Sequence, residues 1–397
     1  MSRAGVSGRR RQRGISMVEV LVAMAIGVLI MAGVMQSLIS NQRSNQWSDD
    51  VSFIQENARY ALEMLARDIR WAGYWGCAVN SSSGAGATNF ANSLNGGAGS
   101  DWLDLTALKG YEGGVNAFPK GLVAASGQWK DNGAYVGSTD YIPDALILRG
   151  ADDNLDLTVV SHAPNSAQFK LSRENPMTIG DLALVVSEDC SDVGLMQMTG
   201  PSSGGTNVEF VHNTGSKEYP GNCTKVIRAD QSFDCSNAPS KDGLPYGPGS
   251  FLMRFSAIGY YVGVSAADSA QPALYRVQFS GMDSPTQVTV RNDEIAMGVE
   301  DLQIHYGVDR DGDATPDAYV PADAINAAAQ EWKQVISVKL TLLMRGYGHS
   351  RQGSGEVKYV GYPFAGSAAS YAGHGYSDTI LRQEFTRTIH LRNIAAG

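Results

Sequence analysis

The sequence predicts an α+β protein in which a long N-terminal, membrane-spanning α-helix packs on a mostly antiparallel β body. Three observations predict it. From about Ile15 to Ile39 the chain is apolar, with Glu19 as its single charge, and roughly 20 such residues cross a bilayer. Apolar residues then continue at steps of three or four through Val51, Ile54, Ala58, Leu62, Leu65, Ile69 and Ala72, the stripe of an amphipathic helix. Beyond Cys77 the pattern changes to short β-branched and apolar runs separated by turn formers, which is the pattern of strands.

The first element is a basic leader, residues 1–14, with Arg3, Arg9, Arg10, Arg11 and Arg13, no acid, and Gly14 at its end. A secretory signal would close on a small-residue cleavage site, but the Ala23-Met24-Ala25 triplet lies inside the apolar run. An ordinary anchor explains the apolar stretch and its basic flank, yet it gives Gly14 and Glu19 no role. An acid in the hydrocarbon region costs several kcal/mol unless paired, so Glu19 points to function. Residues 15–40 form the membrane half of the helix and residues 41–76 its amphipathic half. No proline occurs between Met1 and Phe118, so one helix runs from about Ile15 to Ile69 or Trp71 and stops at Gly73. At 1.5 Å per residue it is roughly 80 Å long. Arg59, Glu63 and Arg67 stand at i,i+4 spacing to pair along its outer face. Gly27 and Gly33 weaken helicity locally. Ala23-x-x-x-Gly27 either permits close helix approach or reflects how common glycine is in membrane helices.

The body, residues 77–397, carries eleven expected strands. They are Ala145–Arg149, Leu155–Val160, Gln168–Leu171, Leu182–Val186, Phe251–Phe255, Ile258–Val262, Leu274–Phe279, Gln287–Val290, Asp301–Tyr306, Gln334–Met344 and Phe385–Leu391. Asn80–Ser100 and Gly346–Asp378 are expected loops. A composition break near 230–250 fits two sub-domains or one elaborated sheet. Hydrophobic and charged fractions of 43% and 18% are those of a globular protein. The net charge is -9, and removal of the five leader arginines leaves -14 before the new amino terminus is counted. Such an acidic body argues against nucleic acid as a main partner.

The basic leader marks the cytoplasmic side and places everything after Ile39 across the membrane. Four cysteines suit that oxidising side: Cys77, Cys190, Cys223 and Cys235, with no Cys-x-x-Cys pair. Three pairings are possible. Cys223–Cys235, with eleven residues between them, is the local choice and leaves Cys77–Cys190 to tie the helix end to the body.

A basic leader, Gly14, and Glu19 opening an apolar helix together resemble the class III signal of type IV prepilins. The stretch Ile54-Gln55-Glu56-Asn57-Ala58-Arg59-Tyr60-Ala61-Leu62, continuing to Cys77, resembles the helix end of PilW-type minor pilins. Gly298-Val299-Glu300-Asp301-Leu302-Gln303-Ile304-His305-Tyr306-Gly307-Val308-Asp309 is similar to a block shared by PilW and the J-type pseudopilins of type II secretion, and Val335–Leu343 and Thr388–Asn393 match the strands that follow. The resemblance implies cleavage after Gly14 by a prepilin peptidase and methylation of Ile15. It further implies a single-pass inner-membrane protein with a periplasmic body, carried to the cell surface in a pilus that it primes and tips. Its partners would be other minor pilins, the major pilin and a tip adhesin. The alternatives are a type II secretion pseudopilin or a membrane-anchored periplasmic enzyme or binding protein.

Two further patterns bear on chemistry. Asp309, Asp311, Asp313 and Asp317 occupy positions 1, 3, 5 and 9 of an oxygen-rich loop, a spacing that calcium takes. Glycine falls at position 4 rather than 6 and position 12 is Val320, with Asp323 beyond it to close a site. The pattern fits calcium or an acidic, solvated turn, and no other cofactor is expected. His162, His212, His305, His349, His374 and His390 are scattered, without a zinc-protease or Gly-x-Ser-x-Gly pattern, so the protein is not expected to be an enzyme. Tyr347, Tyr359, Tyr362, Tyr371 and Tyr376 gather in one region, as a partner surface or as core.

Overall fold

The computed structural model describes residues 14, 16–78, 88–95, 101–113, 143–201, 208–215, 219–228, 243–284, 287–327, 331–347 and 380–393. One α-helix, α1 (Met17–Trp71, 55 residues), precedes the strands. They are β1 (Asn89–Asn92), β2 (Leu108–Tyr111), β3 (Ala145–Ala163), β4 (Gln168–Leu171), β5 (Leu182–Val186), β6 (Asp192–Gln197) and β7 (Glu209–Val211). After them come β8 (Phe251–Val264), β9 (Pro272–Ser284), β10 (Gln287–Met297), β11 (Val299–Val308), β12 (Ala318–Val320), β13 (Val335–Arg345) and β14 (Arg382–His390).

These strands make two sheets. The larger runs β1-β6-β5-β8-β3-β4-β7, with β2 also on β3 and with β9 joining β8 to β10. The smaller runs β12-β11-β13-β14. Among the described strands only β1 and β6 pair in parallel, so the expected mostly antiparallel body is what forms. The two sheets meet at Gly298, between β10 and β11. Its φ of +83° is one that glycine adopts without a Cβ penalty, and it lets the chain turn from one sheet to the other in a single residue.

The C-terminal half of α1 lies between the sheets. Ile54, Leu65 and Ile69 share one buried cluster with Leu146, Leu148 and Tyr260 of the large sheet and Leu302, Leu340 and Ile389 of the small one. The neighbours Ala145 and Ile147 face the opposite side, into a second core with Trp75, Trp102, Leu184 and Phe255. Alternation along β3 thus covers both faces of the large sheet, since successive strand residues point to opposite sides. A third core gathers Leu157, Val159, Phe169, Phe210 and Tyr246 around the far end of β3, with β4 and β7.

Several expected elements are corrected. Ala145–Arg149 and Leu155–Val160 belong to one strand, β3. Pairing with β8 resumes past a register shift between Asp152 and Leu157, where Asp156 has φ +45°; a bulge there absorbs the extra residues. Phe251–Phe255 and Ile258–Val262 likewise merge in β8, because Ser256 and Ala257 keep their register with Gly150 and Arg149. Strand β1 lies inside the expected loop Asn80–Ser100, and β2, β6, β7 and β12 had no expectation. Residues 229–242 and 348–379, which hold most of the expected break, most of the second loop and four of the five clustered tyrosines, lie outside the described residues.

Candidate functional site

At its start α1 offers little but apolar side chains. Gly14 is exposed; residues 1–13 and Ile15 lie outside the described residues. Ser16 takes the cap position in extended conformation, and its carbonyl accepts the Val20 amide at 3.2 Å. Glu19 is the third helical residue, at the end where the aligned peptide dipoles favour negative charge. Every residue from Met17 to Asp49 is exposed. The most apolar window of this stretch has mean hydropathy 2.5 and is 0% buried by the body, so by length and composition α1 can cross a membrane. Burial begins at Asp50, whose Oδ1 accepts the Tyr347 amide at 3.2 Å, and continues on the expected stripe: Ile54, Ala58, Leu62, Leu65, Ile69 and Ala72. Val51 is only half-buried.

Polar contacts then fix the helix to the body. Buried Asp68 accepts from Tyr260 Oη at 2.7 Å, Arg276 Nε at 2.6 Å and Arg67 Nε at 2.9 Å. Burial, reinforced by the Asp68 charge, pushes the Tyr260 hydroxyl well above the usual phenol range. Because Arg67 pairs with Asp68, the expected Arg59–Glu63–Arg67 ladder does not form among the described ion pairs. Asn393 Nδ2 donates to the carbonyls of Arg70, Trp71 and Ala72, capping the helix C-terminus from the last strand's exit. Gly73 turns the chain at φ +75°, and a Cβ there would come to 3.0 Å from Ala107 Cβ. Four residues on, Cys77 and Cys190 form the expected disulfide, Cα to Cα 5.6 Å. Cys223 is also disulfide-bonded; its expected partner, Cys235, lies outside the described residues.

The acidic loop joins β11 to β12. Carboxylate oxygens of Asp309, Asp311 and Asp317 come within 4.8 Å of one another. Asp313, expected with them, is not in the group; its Oδ1 accepts the Thr315 amide at 2.7 Å. Asp309 accepts the Gly312 and Ala314 amides at 2.7 and 2.8 Å, and Asp317 accepts Arg310 N at 2.7 Å. Glycine at position 4 folds the loop back early, so its carboxylates cap its own backbone. Asp323 is not in the group either. Its charge acts on Glu112, whose carboxyl is pushed up to about 7 by burial and then by Asp323.

Histidines scattered in sequence are partly gathered by the fold. His162, near the end of β3, and His212, just after β7, place their Nε2 atoms 3.4 Å apart. His162 stacks on Phe169 at 4.0 Å, and its Nδ1 accepts the Tyr246 amide at 3.1 Å. Nδ1 of His162 is therefore unprotonated, its Nε2–H donates to His212 Nε2, and the His212 proton sits on buried Nδ1, which has no partner among the described residues. Burial holds His162 down to about 4 and His212 to about 3.

Residues 259–393 match the family described as Type IV Pilus-assembly protein W, and residues 9–35 match the Prokaryotic N-terminal methylation motif. No curated protein and no solved structure matches the chain. A methylation-type N-terminus on an exposed apolar helix, ahead of an α+β body, is the layout of the type IV prepilin class. The C-terminal third of the chain is in turn similar to the PilW-type pilus-assembly proteins. The match spans the end of β8 through β14 and so covers the small sheet and the Asn393 cap; β1–β7 stand outside it.

Proposed function

We propose that this chain is cleaved after Gly14, methylated at Ile15, and primes assembly of a type IV pilus from the inner membrane, remaining at or near the tip with its body in the periplasm and then on the cell surface. Its role in this reading is structural rather than catalytic, and its partners are other minor pilins and the major pilin. One observation carries the reading. From Met17 to Ile39 the helix is exposed on every side and apolar, yet it holds one charge, Glu19, in its first turn. Lipid or the apolar helices of neighbouring subunits suit such a surface, because apolar faces this large do not stay in water. Cleavage would create a cation at the Ile15 amine, and pairing with Glu19 of the same or a neighbouring subunit lowers the cost of burying both charges.

Glu19→Gln and Glu19→Ala should each reduce incorporation into fibres while the thermal unfolding of the body stays unchanged. Normal incorporation of both variants would refute the charge-pairing role. Mass spectrometry of the native N-terminus checks the processing step: a chain starting at methylated Ile15 is expected, and an intact Met1 would overturn it.

A further inference from the structure

Two cavities open side by side at the C-terminal end of α1, and Tyr74 lines both. The first, about 550 Å³, is lined by Arg67, Arg70 and Arg392, with Trp71 and Tyr74 as aromatic walls. Arg67 is held by Asp68, which Arg276 shares at 2.6 Å. Arg70 and Arg392 have no side-chain hydrogen bond or ion pair among the described residues. The lining carboxylate is Asp152, whose Oδ1 accepts the Asn154 amide at 3.0 Å. The second cavity, about 370 Å³, is lined by Leu157, Leu252, Met253 and Phe251, and the Phe251 ring is 40% exposed. Asp156 at its edge is engaged by Arg173 at 2.7 Å.

Gathering three guanidinium groups in one concavity is costly unless anions face them. Among the described residues, those lining or paired with this cavity supply two acids, Asp68, shared with a fourth arginine, and Asp152. The excess positive charge stands out in a chain of net charge -9. Guanidinium groups take carboxylate in paired, planar hydrogen bonds, and the second cavity accepts a large apolar side chain a short step away across Tyr74. A nucleic-acid strand fits less well. Its repeating phosphates would run past Asp152 and Asp156, and the acidic body repels a polyanion at long range.

We infer that this double cleft binds an acidic peptide segment of another protein, with a carboxylate seated among Arg67, Arg70 and Arg392 and a neighbouring apolar side chain in the cavity walled by Leu157, Phe251 and Met253. The inference stands on the cleft itself and does not depend on fibre assembly. The cleft lies at the end of α1 farthest from the membrane half, and it is open to a partner while the protein is still anchored.

The full-length protein in detergent micelles tests this by fluorescence anisotropy. The probe is a labelled peptide of Asp, Glu, Phe and Leu, compared with the same peptide carrying Asn and Gln in place of the acids. The acidic peptide should bind at least about tenfold more tightly at low salt and weaken as salt rises. Arg70→Gln and Arg392→Gln should each weaken binding about tenfold, the scale of one lost charge-assisted hydrogen bond. Asp152→Asn should tighten it, a gain that misfolding cannot produce. Equal affinity for the two peptides, or indifference to all three substitutions, would overturn the inference. Tighter binding of an oligothymidylate than of the acidic peptide would overturn it in favour of a nucleic-acid site.

Discussion

Asp68 gathers three donors at the joint between helix and sheet, two of them at 2.6 and 2.7 Å. A carboxylate buried to 4% exposure is tolerated because Arg276 and Tyr260 replace its water. Removing the acid leaves a partly buried guanidinium and a buried hydroxyl uncompensated. Asp68→Ala should therefore destabilise the body by about 3–5 kcal/mol, measurable by denaturant unfolding. The sequence shows Asp68 on the helix but cannot show that it falls on the buried stripe beside Tyr260 and Arg276, some 200 residues away in the chain. The histidine pair was equally hidden. Its partners approach only because β3 outruns its bulge and reaches β4, β7 and the segment around Tyr246. Both rings are held neutral below the ordinary histidine value of about 6.5. Their contribution to stability is thus complete above that value and is lost as pH falls toward 4 and then 3. His212→Phe should make acid unfolding less steep in that window, whatever it does to stability at neutral pH.

At the scale of the element, α1 is one helix with two unlike halves. Continuity comes from local chemistry: no proline interrupts it and good helix formers fill most of it. The division comes from what lies beside it. From Ile54 onward the apolar stripe meets two sheets, whereas from Met17 to Ile39 the same kinds of side chain stand exposed. Leu65→Ala, at 0% exposure, should cost the body about 2–5 kcal/mol. Leu29→Ala, at 73% exposure, should leave body unfolding unchanged in detergent. Equal effects of the two substitutions would mean that the halves do not divide as the burial shows. The strands were legible where β-branched runs were long. They were missed where glycine or polar residues broke the pattern, as in β6 with Gly194 and β1 with Asn89 and Asn92, whose pairing rather than composition makes them strands.

At the scale of the whole molecule, the Cys77–Cys190 bond ties the end of α1 to the large sheet across 113 residues of sequence. Closing so long a loop restricts the unfolded chain, and by the loop-entropy model it stabilises by about 4–5 kcal/mol. Replacing both cysteines by alanine should lower stability by that order, seen as an earlier denaturant midpoint. Buried acids act on the molecule in the opposite sense to the histidines. Burial, then the neighbouring Glu300 and Glu112 charges, push Asp301 up to about 7, while its oxygens accept from Leu302 N and Gln303 Nε2. Its folded state holds the proton more strongly, so stability is full below the ordinary carboxylate value near 4 and falls as pH climbs through 7. Asp301→Asn should remove the fall in stability between about pH 4 and 7, measured by thermal unfolding across that range.

By itself the sequence determined an apolar helix long enough to cross a membrane, the one charge in its apolar run, the match to a methylation motif, and the continuation as an amphipathic stripe. All of these depend on residues a few positions apart, where periodicity and charge are decisive. It also indicated a β-rich body and left three cysteine pairings open, of which the structure shows Cys77–Cys190. The tertiary structure alone decided which strands fuse, how one glycine passes the chain between two sheets, and which acids share the loop after β11. It also placed three arginines from the helix and the C-terminal segment around one cavity. Such juxtapositions depend on contacts between residues tens to hundreds of positions apart, and no local pattern in the chain encodes that distance.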